Sequence, residues 1–114
     1  MLTRIENKRL FPRVDTSAPI HYEVRGSTLT AARVAGDISA GGLSFIDQQY
    51  IPPATLLNLE VNLLSRVIRP AAKVCWVAPL PHSYRFRVGV QFLEMDPEEK
   101  RYLSDYIDMR RDQF

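Results

Sequence analysis

Between Ile20 and Phe92 the apolar positions recur every second residue, interrupted by short polar or proline-containing breaks. Period two is the pattern of a strand with one face buried and one face wet. Ile20, Tyr22 and Val24 share one face, with His21, Glu23 and Arg25 on the other. Gly26-Ser27 then predicts a turn, followed by a second strand near 28–36. A short strand near 43–46 puts Leu43 and Phe45 together. Leu57, Leu59, Val61 and Leu63 alternate with Asn58, Glu60 and Asn62. The segment 67–78 reads as one strand with Val74 and Trp76 on its apolar face, ending at Pro79-Leu80-Pro81. Across 84–92, Tyr84, Phe86, Val88, Val90 and Phe92 oppose Arg85, Arg87, Gly89 and Gln91. About six short strands separated by turns predict an antiparallel barrel or sandwich.

The period then changes. Asp96 is placed to cap a helix, Pro97 suits its first position, and Glu99 stands where a capping-box partner belongs. Leu103 and Ile107 form a docking stripe flanked by Tyr102 and Tyr106, and Arg110 and Arg111 favour the negative helix end. This helix is expected to cover an edge or an open end of the barrel.

Composition changes the picture only by exclusion. A chain of 114 residues with 46% hydrophobic and 25% charged residues fits one globular domain. No apolar run approaches a membrane span, and the start of the chain has no apolar leader segment. The single cysteine, Cys75, excludes an intramolecular disulfide, so a cytoplasmic setting is expected. It is expected to be a packed, inert thiol. One cysteine and two distant histidines, His21 and His82, offer no metal cluster and no catalytic pair, so neither metal nor cofactor is expected.

A net charge of +2 is too small for generic nucleic-acid binding. Its placement is more telling. Arg4, Lys8, Arg9 and Arg13 against Glu6 give residues 1–13 a local charge of +3. Residues 1–13 therefore read as a basic arm on a nearly neutral body, residues 14–114, and an arm of this kind favours a small anionic partner.

Two short segments carry candidate chemistry. In Arg9-Leu10-Phe11-Pro12-Arg13 two guanidinium forks lie four residues apart, while Pro12 biases Phe11 away from the helix. Such forks match phosphate oxygens and the O6/N7 edge of guanine. The bland alternative is a solvated basic tail. In Asp37-Ile38-Ser39-Ala40-Gly41-Gly42 a carboxylate can accept from the N1–H and N2–H₂ edge of guanine, and Ser39 adds a short hydroxyl. Gly41 and Gly42 would allow unusual backbone angles or close ligand approach. Here the alternative is a plain inter-strand turn held by local side-chain bonds. Asp15 could brace Arg13, Arg85 and Arg87 read as a solvated basic face, and Trp76 reads as core.

With Arg9-x-x-x-Arg13 ahead of Asp37-x-Ser39-x-x-Gly42, the sequence resembles the PilZ domain family over about residues 4–110. The strands Lys73-Val74-Cys75-Trp76-Val77 and Tyr84 to Phe92 resemble that family's later landmarks. The resemblance implies a six-stranded antiparallel β-barrel with a C-terminal helix, and no enzymatic activity. It implies a cyclic diguanylate receptor: Arg9 and Arg13 gripping phosphate and guanine, Asp37, Ser39 and Gly42 holding a guanine edge, with Lys8 and Gly41 beside them. The implied output is an arm that orders on binding and changes the surface offered to a motility, biofilm or exopolysaccharide partner. Lys8 stands where many members that bind a ligand dimer have arginine. It keeps the charge without a stacking fork, and the expectation leans to two ligands per chain. Two alternatives are a small barrel binding single-stranded nucleic acid and an interaction module of the same fold that needs no nucleotide.

Overall fold

The computed structural model describes residues 11–64 and 66–112. Eight strands and one helix follow in chain order: β1 (Val14–Asp15), β2 (Pro19–Val24), β3 (Thr30–Ser39), β4 (Gly42–Asp47), β5 (Leu56–Leu63), β6 (Arg66–Ile68), β7 (Ala71–Pro79), β8 (Phe86–Glu94) and α1 (Pro97–Arg111). Pairing runs β3-β2-β5-β7-β8-β4 and returns from β4 to β3. Six antiparallel strands therefore close into a barrel, with β1 added beside β3 and β6 beside β5. Closure removes the free sheet edges that an open sheet would expose.

The alternation read from the sequence is the wall of this barrel. Ile20 and Tyr22 of β2, and Leu57, Leu59, Val61 and Leu63 of β5, all point inward and are buried. Each such side chain contributes about 1.5–3 kcal/mol by leaving water. One inward row crosses five strands in register: Val14, Ile38, Leu43, Val90 and Val74.

The segment 67–78 differs from its expectation in two ways. It is two strands, because Pro70 has no N–H for the ladder and the chain jogs between β6 and β7. Within β7 the register shifts between Val74 and Trp76, so Cys75 is an extra, bulged residue. Alternation is lost there. Val74 stays in the core, whereas Trp76 turns to the outer face and is 39% exposed. Cys75 is likewise exposed rather than packed. A second shift lies at Gly36 of β3. Tyr84 precedes β8 and is 96% exposed, so the β8 stripe begins at Phe86.

Helix α1 plugs one mouth of the barrel with Leu103, Tyr106 and Ile107. Asp96 caps it by accepting the Glu98 N–H at 2.8 Å, with Pro97 in the first turn. Glu99 does not close a capping box. Its Oε1 accepts the Arg69 N–H at 3.0 Å, tying the helix start to the β6–β7 jog. Tyr106 shares a 2.7 Å hydrogen bond with Thr16, Tyr102 donates to the Leu63 carbonyl at 3.0 Å, and Arg110 donates to the Asp15 carbonyl at 2.8 Å. The first and third of these bonds fix Thr16 and Asp15 to the helix, and the second fixes the end of β5 to it.

Inside the barrel, at the end of β4, lies a buried polar cluster that sequence reasoning passed over. Asp47 is buried, accepting from the Tyr22 hydroxyl at 2.6 Å, the Gln49 N–H at 2.9 Å and Arg33 at 3.1 Å. Burial raises the Asp47 carboxyl, but these three donors outweigh it and hold the group below its ordinary value. Burial, and then the Asp47 charge, push the Tyr22 hydroxyl well above its own.

Candidate functional site

The strands β3 and β4 form a hairpin whose register pairs Ser39 with Gly42, leaving Ala40-Gly41 as the turn. Ser39 holds this turn: its hydroxyl accepts the Gly41 N–H at 3.1 Å and donates to the Gly42 carbonyl at 3.4 Å. Neither Gly41 nor Gly42 has a positive φ, so unusual backbone angles are not what the glycines supply. They supply room. A Cβ on Gly42 would lie 2.0 Å from the Val90 carbonyl oxygen, so β8 could not pack against the hairpin. A Cβ on Gly41 would lie 3.3 Å from the Phe11 ring, which rests on the turn.

Next to the buried row described above runs an outward row in the same register: Asp15, Asp37, Ser44, Gly89 and Trp76. The bulges at Gly36 and Cys75 flank it, a placement bulges favour beside functional sites. Asp37 is the chemical centre of this row. Ser44 donates to its Oδ1 at 2.9 Å, and Arg13 stands 3.6 Å from its Oδ2. Arg13 is thus paired with Asp37, while Asp15 accepts from Arg110 through its backbone carbonyl. The Arg13 side chain is 60% exposed and the Asp37 side chain 22%, so both remain open to a ligand.

The structure therefore brings Arg13 to Asp37, with Ser39, Gly41 and Gly42 in the adjoining turn. Lys8 and Arg9 lie outside the described residues. Sequence reasoning missed Ser44, which sits in an ordinary alternating strand. Trp76 and Arg87 were weighed as core and as solvated face. Arg87 in fact points along the outer wall, with Nη1 only 3.9 Å from where a Cβ on Gly36 would be. The signal that could have exposed Trp76 is the glycine opposite it, since an outward indole needs a neighbour without a side chain. Among the described residues, no group of three or more His, Cys, Asp or Glu side chains is placed to hold a metal ion.

A closed six-stranded barrel, plugged by a C-terminal helix and carrying an arginine-to-aspartate pair beside a glycine turn, defines a PilZ-type domain. The family model for the PilZ domain matches residues 7–109, and the chain belongs to that family. No curated protein matches the sequence. Among solved structures, the Bacillus subtilis inhibitor of motility superposes with a TM-score of 0.80 at 19% identity, covering 90% of this chain and 51% of that one. Escherichia coli YcgR in complex with c-di-GMP gives 0.75 at 17%, covering 90% and 46%. The isolated PilZ domain of YcgR with c-di-GMP gives 0.68 at 16%, covering 90% and 91%. This chain thus spans about half the length of the first two relatives and nearly the whole of the third.

Proposed function

We propose that the chain is a cyclic diguanylate receptor without catalytic activity, binding its ligand on the outer face of β3 and β4. One observation carries this reading: the last arm arginine, Arg13, lies 3.6 Å from Asp37, although 23 residues of chain and a strand pair separate the two motifs. Two similar structures, YcgR and its isolated PilZ domain, hold c-di-GMP, which supports the same ligand class here. Arg13 and Arg9 grip phosphate and the Hoogsteen edge of one guanine, while Asp37 takes its Watson–Crick edge. Ser39, Gly41 and Gly42 shape the floor on which that base lies, and Lys8 adds charge for a second ligand molecule. Ser44 donates to one Asp37 oxygen and the Arg13 guanidinium stands near the other, so Asp37 takes the base by exchanging these partners.

The output belongs to the same proposal. Residues 1–13 act as an arm on a barrel of residues 14–114, and ligand draws the arm onto the barrel. A cytoplasmic partner controlling motility, biofilm or exopolysaccharide then meets a different surface. Equilibrium dialysis against cyclic diguanylate, cyclic diadenylate, a linear guanine dinucleotide and a single-stranded oligonucleotide tests the reading. Retention of the first well above the other three is expected, with no product formed. Preferential retention of the oligonucleotide makes the chain a nucleic-acid barrel, and retention of none makes it a module that works without nucleotide. Equal retention of the guanine and adenine cyclic forms removes the role given to Asp37.

A further inference from the structure

We propose that the outer wall of β2, β5 and β7, apart from the Asp37 row, is a docking trench for this chain's own segment Arg4-Ile5-Glu6-Asn7-Lys8. The trench is a cavity of about 810 Å³. Its floor is a row in register that runs Glu23, Asn58, Ala71 and Glu94 from β2 to β8. Ala71 offers only a methyl group, so the row is hollow near its middle, with an exposed carboxylate at each end. Arg25 donates to Asn58 at 3.2 Å, which holds a guanidinium over the inner part of the row. Asn58 in turn donates to Glu23 at 3.4 Å, and Arg69 donates to Glu60 at 3.3 Å. Among the described residues Glu94 has no ion-pair partner. Along the row the charge therefore reads negative, positive, negative. Over the whole trench Glu23, Glu60, Glu94 and Asp96 outnumber Arg25 and Arg69.

Charge, spacing and the direction of the chain name the occupant. Arg4, Glu6 and Lys8 carry the reverse pattern, positive, negative, positive, and alternate residues of an extended segment share one face. Three strand spacings of about 4.8 Å put Glu23 and Glu94 roughly 14 Å apart along the floor. Four residues of extended chain at about 3.4 Å each put Lys8 the same distance from Arg4. Phe11 sets the direction. Its ring rests on Gly41 and lines a cavity of about 350 Å³ together with Phe92, Glu94 and Met95. Glu94 and Met95 also line the trench, so the two cavities adjoin. Lys8 precedes Phe11 by three residues, roughly 10 Å of extended chain, which brings its ammonium to Glu94. Arg4 then falls at Glu23, Glu6 faces Arg25, and Leu10 meets Phe92 and Met95. Exposed pairs of this kind are individually weak and screened by salt, so the dock is one that a ligand can undo. That consequence rests on the receptor reading above: Lys8 held at Glu94 is withheld from cyclic diguanylate, and binding must draw the segment off the trench.

Paramagnetic relaxation on the full chain tests the dock, with a nitroxide on Asn7→Cys in a Cys75→Ser background. Without ligand, the amides of Glu23, Asn58 and Ala71 should lose most of their intensity relative to the reduced label, and high salt should restore it. Glu23→Lys with Glu94→Lys should abolish the loss, and adding Arg4→Glu with Lys8→Glu should bring it back. Circular dichroism melts of the variants separate a lost dock from a lost fold. Trench amides that keep their intensity, or a loss that survives the charge reversal, overturns the proposal. Isotope-enriched chain without label, mixed with labelled unenriched chain, should show no loss; a loss there seats the segment on a second copy and overturns the assignment to its own wall. Saturating cyclic diguanylate should restore the intensities. Binding heat without that recovery overturns the displacement, whereas absence of binding heat overturns the receptor reading and leaves the dock to be decided by the ligand-free spectra.

Discussion

Asp37 and Asp47 lie on neighbouring strands, and their surroundings give them opposite duties. Asp37 is on the outer face with one hydroxyl donor and one exposed guanidinium, a carboxylate that can change partners at little cost. Asp47 is buried and holds three donors, so removing any one strands a polar group inside the barrel. Its pH dependence follows. Asp47 titrates below its unfolded value, so its contribution is complete above about pH 4 and fades as pH falls through the folded value. Tyr22 titrates above its unfolded value, so its contribution holds below about pH 10 and is lost at higher pH. Asp47→Ala should cost about 3 kcal/mol or more at neutral pH and flatten the acid limb of the stability profile. Urea midpoints from pH 2.5 to 7 check this; parallel acid limbs in wild type and variant would show that Asp47 is not the titrating group. Sequence reading passed over this residue because the strand was expected to end at 46; extended to Asp47, the alternation of Leu43 and Phe45 places its carboxylate on the same inward face.

At the scale of elements, the hairpin β3–β4 shows what pattern can and cannot deliver. Its strands were legible from Leu43 and Phe45, and its turn from Ser39 and the glycines. The reason for the glycines was not. Conformational freedom or close ligand approach was expected, whereas the room at Gly42 is taken by the protein itself: β8 passes so close that Gly42 leaves no space for a methyl group. Gly42→Ala should therefore destabilise the fold by about 1–3 kcal/mol through overpacking, whether or not ligand is present. Thermal melts of the ligand-free variant test this, and an unchanged melting temperature would return Gly42 to a purely ligand-facing role. The bulges at Gly36 and Cys75 were equally hidden. Bulges depend on which strand lies opposite, and period-two counting assumes there are none. That assumption placed Trp76 in the core and Arg87 in plain solvent. Helix α1 was read almost completely, since its cap, first-turn proline and buried stripe are all local features. Only Glu99 was misassigned, because its partner, Arg69, lies in the β6–β7 jog, 30 residues earlier in the chain.

For the whole molecule, barrel closure joins the strands that carry the core to the strands that carry the outer row. The core rows and the outer row share one register, so the positions of Asp37, Ser44 and Trp76 relative to one another are set by barrel closure. The receptor reading stands on the meeting of arm and wall at Arg13 and Asp37, and one measurement addresses it directly. Isothermal titration calorimetry of cyclic diguanylate into the wild type, Arg13→Ala and Asp37→Ala chains returns affinity and stoichiometry together. The wild type should bind saturably, with a ratio near two. Each variant should melt like the wild type and bind roughly ten- to a hundredfold more weakly, the loss of a charge-assisted contact of about 1.5–3 kcal/mol. A wild type that gives no binding heat at several temperatures, or folded variants that match its affinity, would contradict the account.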